Sequence, residues 1–136
     1  MMKHGLVRLS TAAAFAAAGT AFACGVCIED KVAATYDHAV ITQAKASHRQ
    51  VAFVAIDGPY VPDVGRRIAA SARNVRGVET KSVRVSDSPA AFSFVVARSQ
   101  TPERAVAGFR DAMRDSGVRL TLVRVMRDGK LIDPNE

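Results

Sequence analysis

The chain has two cysteines, and they stand together as Cys24-Gly25-Val26-Cys27, directly ahead of a segment with helical periodicity. A dithiol of this spacing has three kinds of chemistry open to it: holding a soft metal ion, closing into a disulfide, or exchanging disulfides. The positive end of a helix and its unpaired N–H groups favour thiolate over thiol. Gly25 removes side-chain bulk, so the short loop can curl and turn both sulfurs to one point. Two thiolates suit copper(I), which accepts low coordination by sulfur, whereas structural zinc takes four ligands. Further donors are Glu29, His38, His48 and the amino group of Cys24 if that residue becomes the N-terminus. Eleven positions separate Cys27 from His38, about 16 Å along a continuous helix, so His38 can join the dithiol only if that helix breaks. His38 and His48 read first as surface or boundary histidines.

The residues before the dithiol read as an export signal. Lys3, His4 and Arg8 form a basic start, Leu9 to Ala23 is apolar or small, and the stretch ends Ala21-Phe22-Ala23, a small-x-small cleavage pattern. The apolar stretch is shorter than the roughly 20 residues a membrane-spanning helix needs, and no later segment reaches that length. Cleavage after Ala23 predicts a periplasmic or secreted protein beginning at Cys24. A lipid anchor on Cys24 is disfavoured, because lipoprotein signals place an aliphatic residue where Ala21 stands and Phe22 is bulky. In an oxidising compartment Cys24 and Cys27 could also form a local disulfide. So small a loop would constrain the unfolded chain little. Cys-Gly-x-Cys is similar to the dithiol of thioredoxin-like oxidoreductases. Theirs follows a central strand, whereas here only the expected signal precedes it.

Removing 23 of 136 residues leaves 113, enough for one domain. Loss of Lys3 and Arg8 takes the basic count from 19 to 17 against 13 acidic side chains, a net charge of +4. The charges are interspersed, with no basic run and no aromatic–basic interleaving, so nucleic acid is not an expected partner. There is no Trp, no Ser-His-Asp order, no glycine-rich phosphate loop and no His-x-x-x-His pair. Asp57, Asp63 and Asp87 fall in turns for backbone reasons, and Met113 and Met126 read as core fillers. No enzymatic constellation is expected.

The elements that must position the dithiol follow from periodicity. Ile28 to about Ser47 predicts one helix, with Ile28, Val32, Tyr36, Val40 and Ala44 on its apolar stripe and Glu29 and Asp30 in its first turn. Val51–Ile56 is a continuous apolar run suited to a buried strand, stopped by Asp57-Gly58-Pro59. Pro62-Asp63 opens a helix that ends at Gly77. Val78–Val85 predicts a strand in spite of Ser82, and a turn at Asp87-Ser88-Pro89 leads into the returning strand Ala91–Val96. Thr101-Pro102-Glu103 is a helix start with Thr as N-cap and Pro in the first turn, and Ser116-Gly117 is its end. A last strand runs from Val118 to Val125, closed by Asp128-Gly129.

That order predicts an α+β domain: a ferredoxin-like βαββαβ unit, four antiparallel strands with two helices on one face, plus an extra N-terminal helix. The divisions are 1–23 signal, 24–49 dithiol segment and helix, 50–128 ferredoxin-like domain and 129–136 C-terminal tail. The extra helix would pack on an edge of the sheet or on its bare face.

Three stretches carry a resemblance to the heavy-metal-associated domain family: Asn74-Val75-Arg76-Gly77-Val78, the pair Val83-Arg84-Val85 and Phe92-Ser93-Phe94-Val95, and Thr101 through Gly117. The segment from about Val51 to Val125 resembles these small ferredoxin-like copper and zinc carriers. The family holds its metal with a Met-x-Cys-x-x-Cys loop after the first strand. Here that loop, Asp57 to Asp63, has no thiol, imidazole or thioether, so no ligand transfers to it. The resemblance therefore implies the fold more than the metal. The expectation is a soft-metal carrier with copper(I) on Cys24 and Cys27 and a metal-acceptor protein as partner. A non-catalytic interaction module with a structural disulfide, and a thiol-exchange protein, are the alternatives.

Overall fold

The computed structural model describes residues 27–136, so the expected signal and Cys24 lie outside the described residues. Two short helices come first, α1 (Ile28–Thr35) and α2 (His38–Ala46). They are followed by β1 (Val51–Asp57), α3 (Val64–Ser71), β2 (Arg84–Asp87), β3 (Ala90–Val95), α4 (Pro102–Ala112), β4 (Arg119–Arg127) and β5 (Lys130–Ile132). The strands form one antiparallel sheet in the order β2-β3-β1-β4-β5. It is a mixed α+β fold with five strands where four were expected.

The central strand β1 explains the layering. Val51, Phe53 and Ala55 point to one face and Ala52, Val54 and Ile56 to the other, and all six are buried, as a strand covered on both sides requires. One face, with Val54, Phe92, Phe94 and Leu120, packs against Ile68 of α3 and Phe109 of α4. Phe92 meets Phe109 edge-on with ring centres 4.9 Å apart, a favoured aromatic geometry. The opposite face, with Val51, Phe53, Ala55 and Val95, packs against Val32 of α1 and against Ile41 and Ala44 of α2. The N-terminal helices thus cover the face that α3 and α4 leave bare.

Four sequence expectations are corrected. The single N-terminal helix is two, because Asp37 caps α2: its carboxylate accepts the N–H groups of Ala39 (2.9 Å) and Val40 (3.2 Å). An aspartate in that role starts a new helix. Thr35 O, released by the end of α1, accepts the hydroxyl of Ser93 at 2.8 Å inside the core, which satisfies one orphan carbonyl. The second strand does not begin at Val78. Thr80–Ser82 is a 3-10 turn, in which Ser82 Oγ donates to Glu79 O and accepts from Val95 N. The residue that interrupts the apolar alternation is therefore the one that stitches this turn to β3. The helix after Pro62-Asp63 is regular only from Val64 and passes into a 3-10 turn at Ala72–Asn74.

The last correction concerns residues 129–136, expected as a tail. Asp128 and Gly129 both take positive φ, 49° and 77°, the two-residue turn that matches the twist of a β-hairpin. The chain reverses there, and β5 pairs with β4 through Val125↔Ile132, Met126↔Leu131 and Arg127↔Lys130.

Candidate functional site

Cys27 is the N-cap of α1, in extended conformation, with its carbonyl accepting the N–H of Lys31 at 3.3 Å. Its side chain makes no capping bond and is exposed. The sulfur lies 3.2 Å from Asp30 Oδ2, to which the thiol donates. The thiol therefore stands at the open end of a helix whose rear face is fixed in the second core through Val32.

The charges around this helix end are arranged by exposure. Lys31 turns under the helix to Asp57 at the end of β1, 3.2 Å away, with only 15% of its side chain exposed. Arg124 of β4 is 21% exposed and lies 3.5 Å from both Glu29 and Asp133. Glu29 keeps 71% of its side chain in solvent, and Asp30 is exposed. The cations are tucked against the sheet and the carboxylates face outward. Beside them Ile28, Tyr36 and Leu131 are exposed large apolar side chains. Tyr36 and Leu131 help line a shallow apolar groove of about 340 Å³ with Glu29, Val32 and Ala33.

Of the sequence-predicted donors, Cys27 and Glu29 share the first turn of α1, and Cys24 lies outside the described residues. His38 is exposed at the first position of α2. The helix does break, but only after α1 has carried the chain about 12 Å from Cys27, so His38 is not brought to the thiol. His48 is exposed, with φ of 53°, and its Nδ1 lies 3.7 Å from Asp128 Oδ1 at the β4–β5 turn. That is the sheet end where β1 begins, whereas Lys31 ties α1 to the end where β1 finishes, about 20 Å away at strand spacing. Among the described residues, no three His, Cys, Asp or Glu side chains are grouped closely enough to hold a metal.

Asp30 was missed as the partner of the thiol, and Arg124 and Leu131 as neighbours of Glu29 on α1. Asp30 had a signal, since positions three apart on a helix face each other. Arg124 and Leu131 had none, because the pairing of β4 with β1 and of β5 with β4 brings them in from a distant part of the sequence. Elsewhere, the Arg84 guanidinium, 2.8 Å from Asp37 Oδ2, is the main influence holding the Asp37 carboxyl below the usual carboxylate range, followed by the Val40 N–H. That pair fastens the α1–α2 junction to β2.

No family model, no curated protein and no solved structure matches the chain. No helix among the described residues is long and apolar enough to cross a membrane.

Proposed function

We propose that the chain is an exported, non-enzymatic carrier that holds copper(I) between the thiolates of Cys24 and Cys27 and delivers it to an acceptor protein. The observation that carries this reading is the placement of Cys27: an exposed sulfur at the N-cap of a helix whose opposite side is packed in the core. An exposed sulfur is open to a metal and to an acceptor, and two sulfurs meet the low coordination number that copper(I) accepts. The export signal read from residues 1–23 would deliver the dithiol to the periplasm or the exterior.

The fold reading accompanies it. We take β1 to β4 with α3 and α4 as a ferredoxin-like βαββαβ unit, supported by the spatial order β2-β3-β1-β4 and by both helices lying on one face. The fifth strand and the α1–α2 layer are additions to that unit. On this reading the metal chemistry sits on the added layer and not in the loop after β1.

The test is copper stoichiometry and affinity of the reduced chain beginning at residue 24, under anaerobic conditions and in competition with a chromogenic copper(I) chelator. One copper(I) per chain is expected, lost in the Cys24→Ser/Cys27→Ser double variant. Unchanged copper uptake by that variant refutes the reading. The intact mass of the exported protein, before and after reduction, reports cleavage, lipid attachment and disulfide formation.

A further inference from the structure

We infer that the outer edge of β5 is the contact by which two copies of this chain pair, antiparallel about Leu131, into a reversible dimer with one continuous sheet. β5 is an outer strand of the sheet, and its pairing with β4 fixes which of its main-chain groups look outward. Asp128 and Gly129 make a two-residue turn, so Arg127 and Lys130, which flank it, form the pair that exchanges hydrogen bonds. Hydrogen-bonded and open pairs alternate along an antiparallel ladder, so the next pair, Met126↔Leu131, is open. The N–H and C=O of Leu131 therefore both point away from β4. No other backbone group among the described residues takes up either one. A donor and an acceptor on one residue, aimed the same way, are complementary to the same residue of a second copy turned about a two-fold axis. The two chains exchange two hydrogen bonds there, from Leu131 of each to Leu131 of the other.

The side chains fit the same arrangement. Leu131 is 45% exposed and pairs with Met126, which packs on the core beneath α1 and α2. With Glu29, Val32, Ala33 and the equally exposed Tyr36, it lines the apolar groove of about 340 Å³. The two-fold sets Leu131 of the second copy beside it at the edge of that groove, so each copy covers apolar surface of the other. Charge fixes the direction. Lys130 stands at the turn end of β5 and is exposed, and Asp133, just past the other end, keeps 37% of its side chain in solvent. Antiparallel pairing carries Lys130 of each copy to the Asp133 end of the other, whereas parallel pairing sets lysine beside lysine. The opposite edge of the sheet differs. There β2 has no large exposed apolar side chain, and it begins with Arg84, whose guanidinium is bonded to Asp37, Lys81 O and Val83 O. A three-residue strand with two half-exposed side chains falls well short of the roughly 800 Å² per partner of a stable interface, so the dimer forms and parts with concentration.

The chain is purified as the cell leaves it and kept reduced, so that no disulfide joins two copies. Sedimentation equilibrium from about 1 µM to about 1 mM is expected to show a reversible monomer–dimer equilibrium within that range. Amide exchange at Leu131, read by NMR, is expected to slow as the dimer fills. Leu131→Pro removes the outward N–H, which β4 does not use, and is expected to abolish the dimer. Leu131→Lys keeps the main chain but sets like charges opposite each other across the axis, and is expected to raise the dissociation constant at least about tenfold. Circular dichroism and the exchange of β1 amides check that both variants are folded. Should proline release the hairpin, the lysine variant decides. A chain that stays monomeric at about 1 mM, or that protects Leu131 only when a different protein is added, overturns the inference. So does a dimer that Leu131→Lys leaves equally tight, because its contact lies elsewhere.

Discussion

Replacing Phe53 by alanine tests whether the N-terminal helices belong to one cooperative fold or rest on a finished domain. Phe53 is 1% exposed and lies on the face of β1 that meets Val32, Ile41 and Ala44. Truncating a buried phenylalanine costs about 3–5 kcal/mol, from lost transfer free energy and the cavity left behind. The 110 described residues should have a total stability of roughly 5–15 kcal/mol, so the change removes a large share of it. At about 4–8 °C per kcal/mol for a domain near this size, the midpoint should fall by roughly 12 °C or more.

The assay is thermal unfolding by far-ultraviolet circular dichroism, paired with amide hydrogen exchange read by mass spectrometry. If the sheet and both helical layers unfold together, Phe53→Ala lowers the single transition and speeds exchange in α4 as much as in α1 and α2. Phe92→Ala, on the opposite face, should do the same. If Phe53→Ala frees α1 and α2 while β3 and α4 keep their protection and the main transition barely moves, the layers are separable. The two-faced core argument is then wrong.

Thr101→Ala removes the hydroxyl that accepts the N–H of Arg104 at 3.3 Å. It should cost about 1 kcal/mol, measured by urea unfolding with an unchanged slope. Gly129→Val places a β-branched residue at a φ of 77°. It should destabilise by at least about 1 kcal/mol and release β5, visible as faster exchange at Leu131 and Ile132. Asp37 has a lowered pKa in the fold, held mainly by Arg84. Its contribution is therefore complete above the unfolded-state value near pH 4 and lost as pH falls through the lower folded value. Asp37→Asn should flatten the acid limb of stability against pH, and superimposable limbs for the two proteins would show the ion pair contributes nothing.

Most of the sheet was readable because burial leaves a pattern. The uninterrupted Val51–Ile56 run marked a strand covered on both faces, and Thr101-Pro102 marked the start of α4 in its N-cap and first turn. What escaped was where a residue of two meanings took the less obvious one. Asp128-Gly129 can end a strand or reverse it, and the three residues that answer it, Lys130–Ile132, are too few to show alternation. Asp37 sits in register with an apolar stripe that continues on both sides, so periodicity alone joins what the cap divides. Ser82 looks like a flaw in a strand until Val95 N–H is found on its oxygen. The surroundings of the first turn of α1 were the least readable part, since Arg124 and Leu131 reach it only once β4 has paired with β1 and β5 with β4.

The division at Tyr36–Asp37 follows from the size of the sheet it covers. A continuous helix from Ile28 to Ser47 would be about 30 Å long, whereas five strands at about 4.8 Å spacing are roughly 19 Å across. One straight helix laid across the strands would leave a third of its apolar stripe beyond the edge. Two short helices avoid this. The side-chain partners of α1 step from Arg124 on β4 to Asp57 on β1 and Ser93 on β3, and Asp37 then meets Arg84 on β2. The chain turns at that edge and α2 returns, ending with His48 at Asp128 in the β4–β5 turn. The turn therefore keeps Val32, Ile41 and Ala44 all over the sheet. It also helps hold the first turn of α1 beside β4 and β5, where Glu29 meets Arg124 and lines a groove with Leu131, so Asp37 and Arg84 support the helix that carries Cys27 from its far end. Loosening that pair should disturb the surroundings of Cys27 without touching them. In Arg84→Ala, faster exchange throughout α1, together with faster alkylation of Cys27 in a Cys24→Ser background, is the expected result. An unchanged alkylation rate would mean that Val32, the Lys31–Asp57 and Glu29–Arg124 pairs and the Ser93 bond to Thr35 O hold α1 without the Asp37–Arg84 pair.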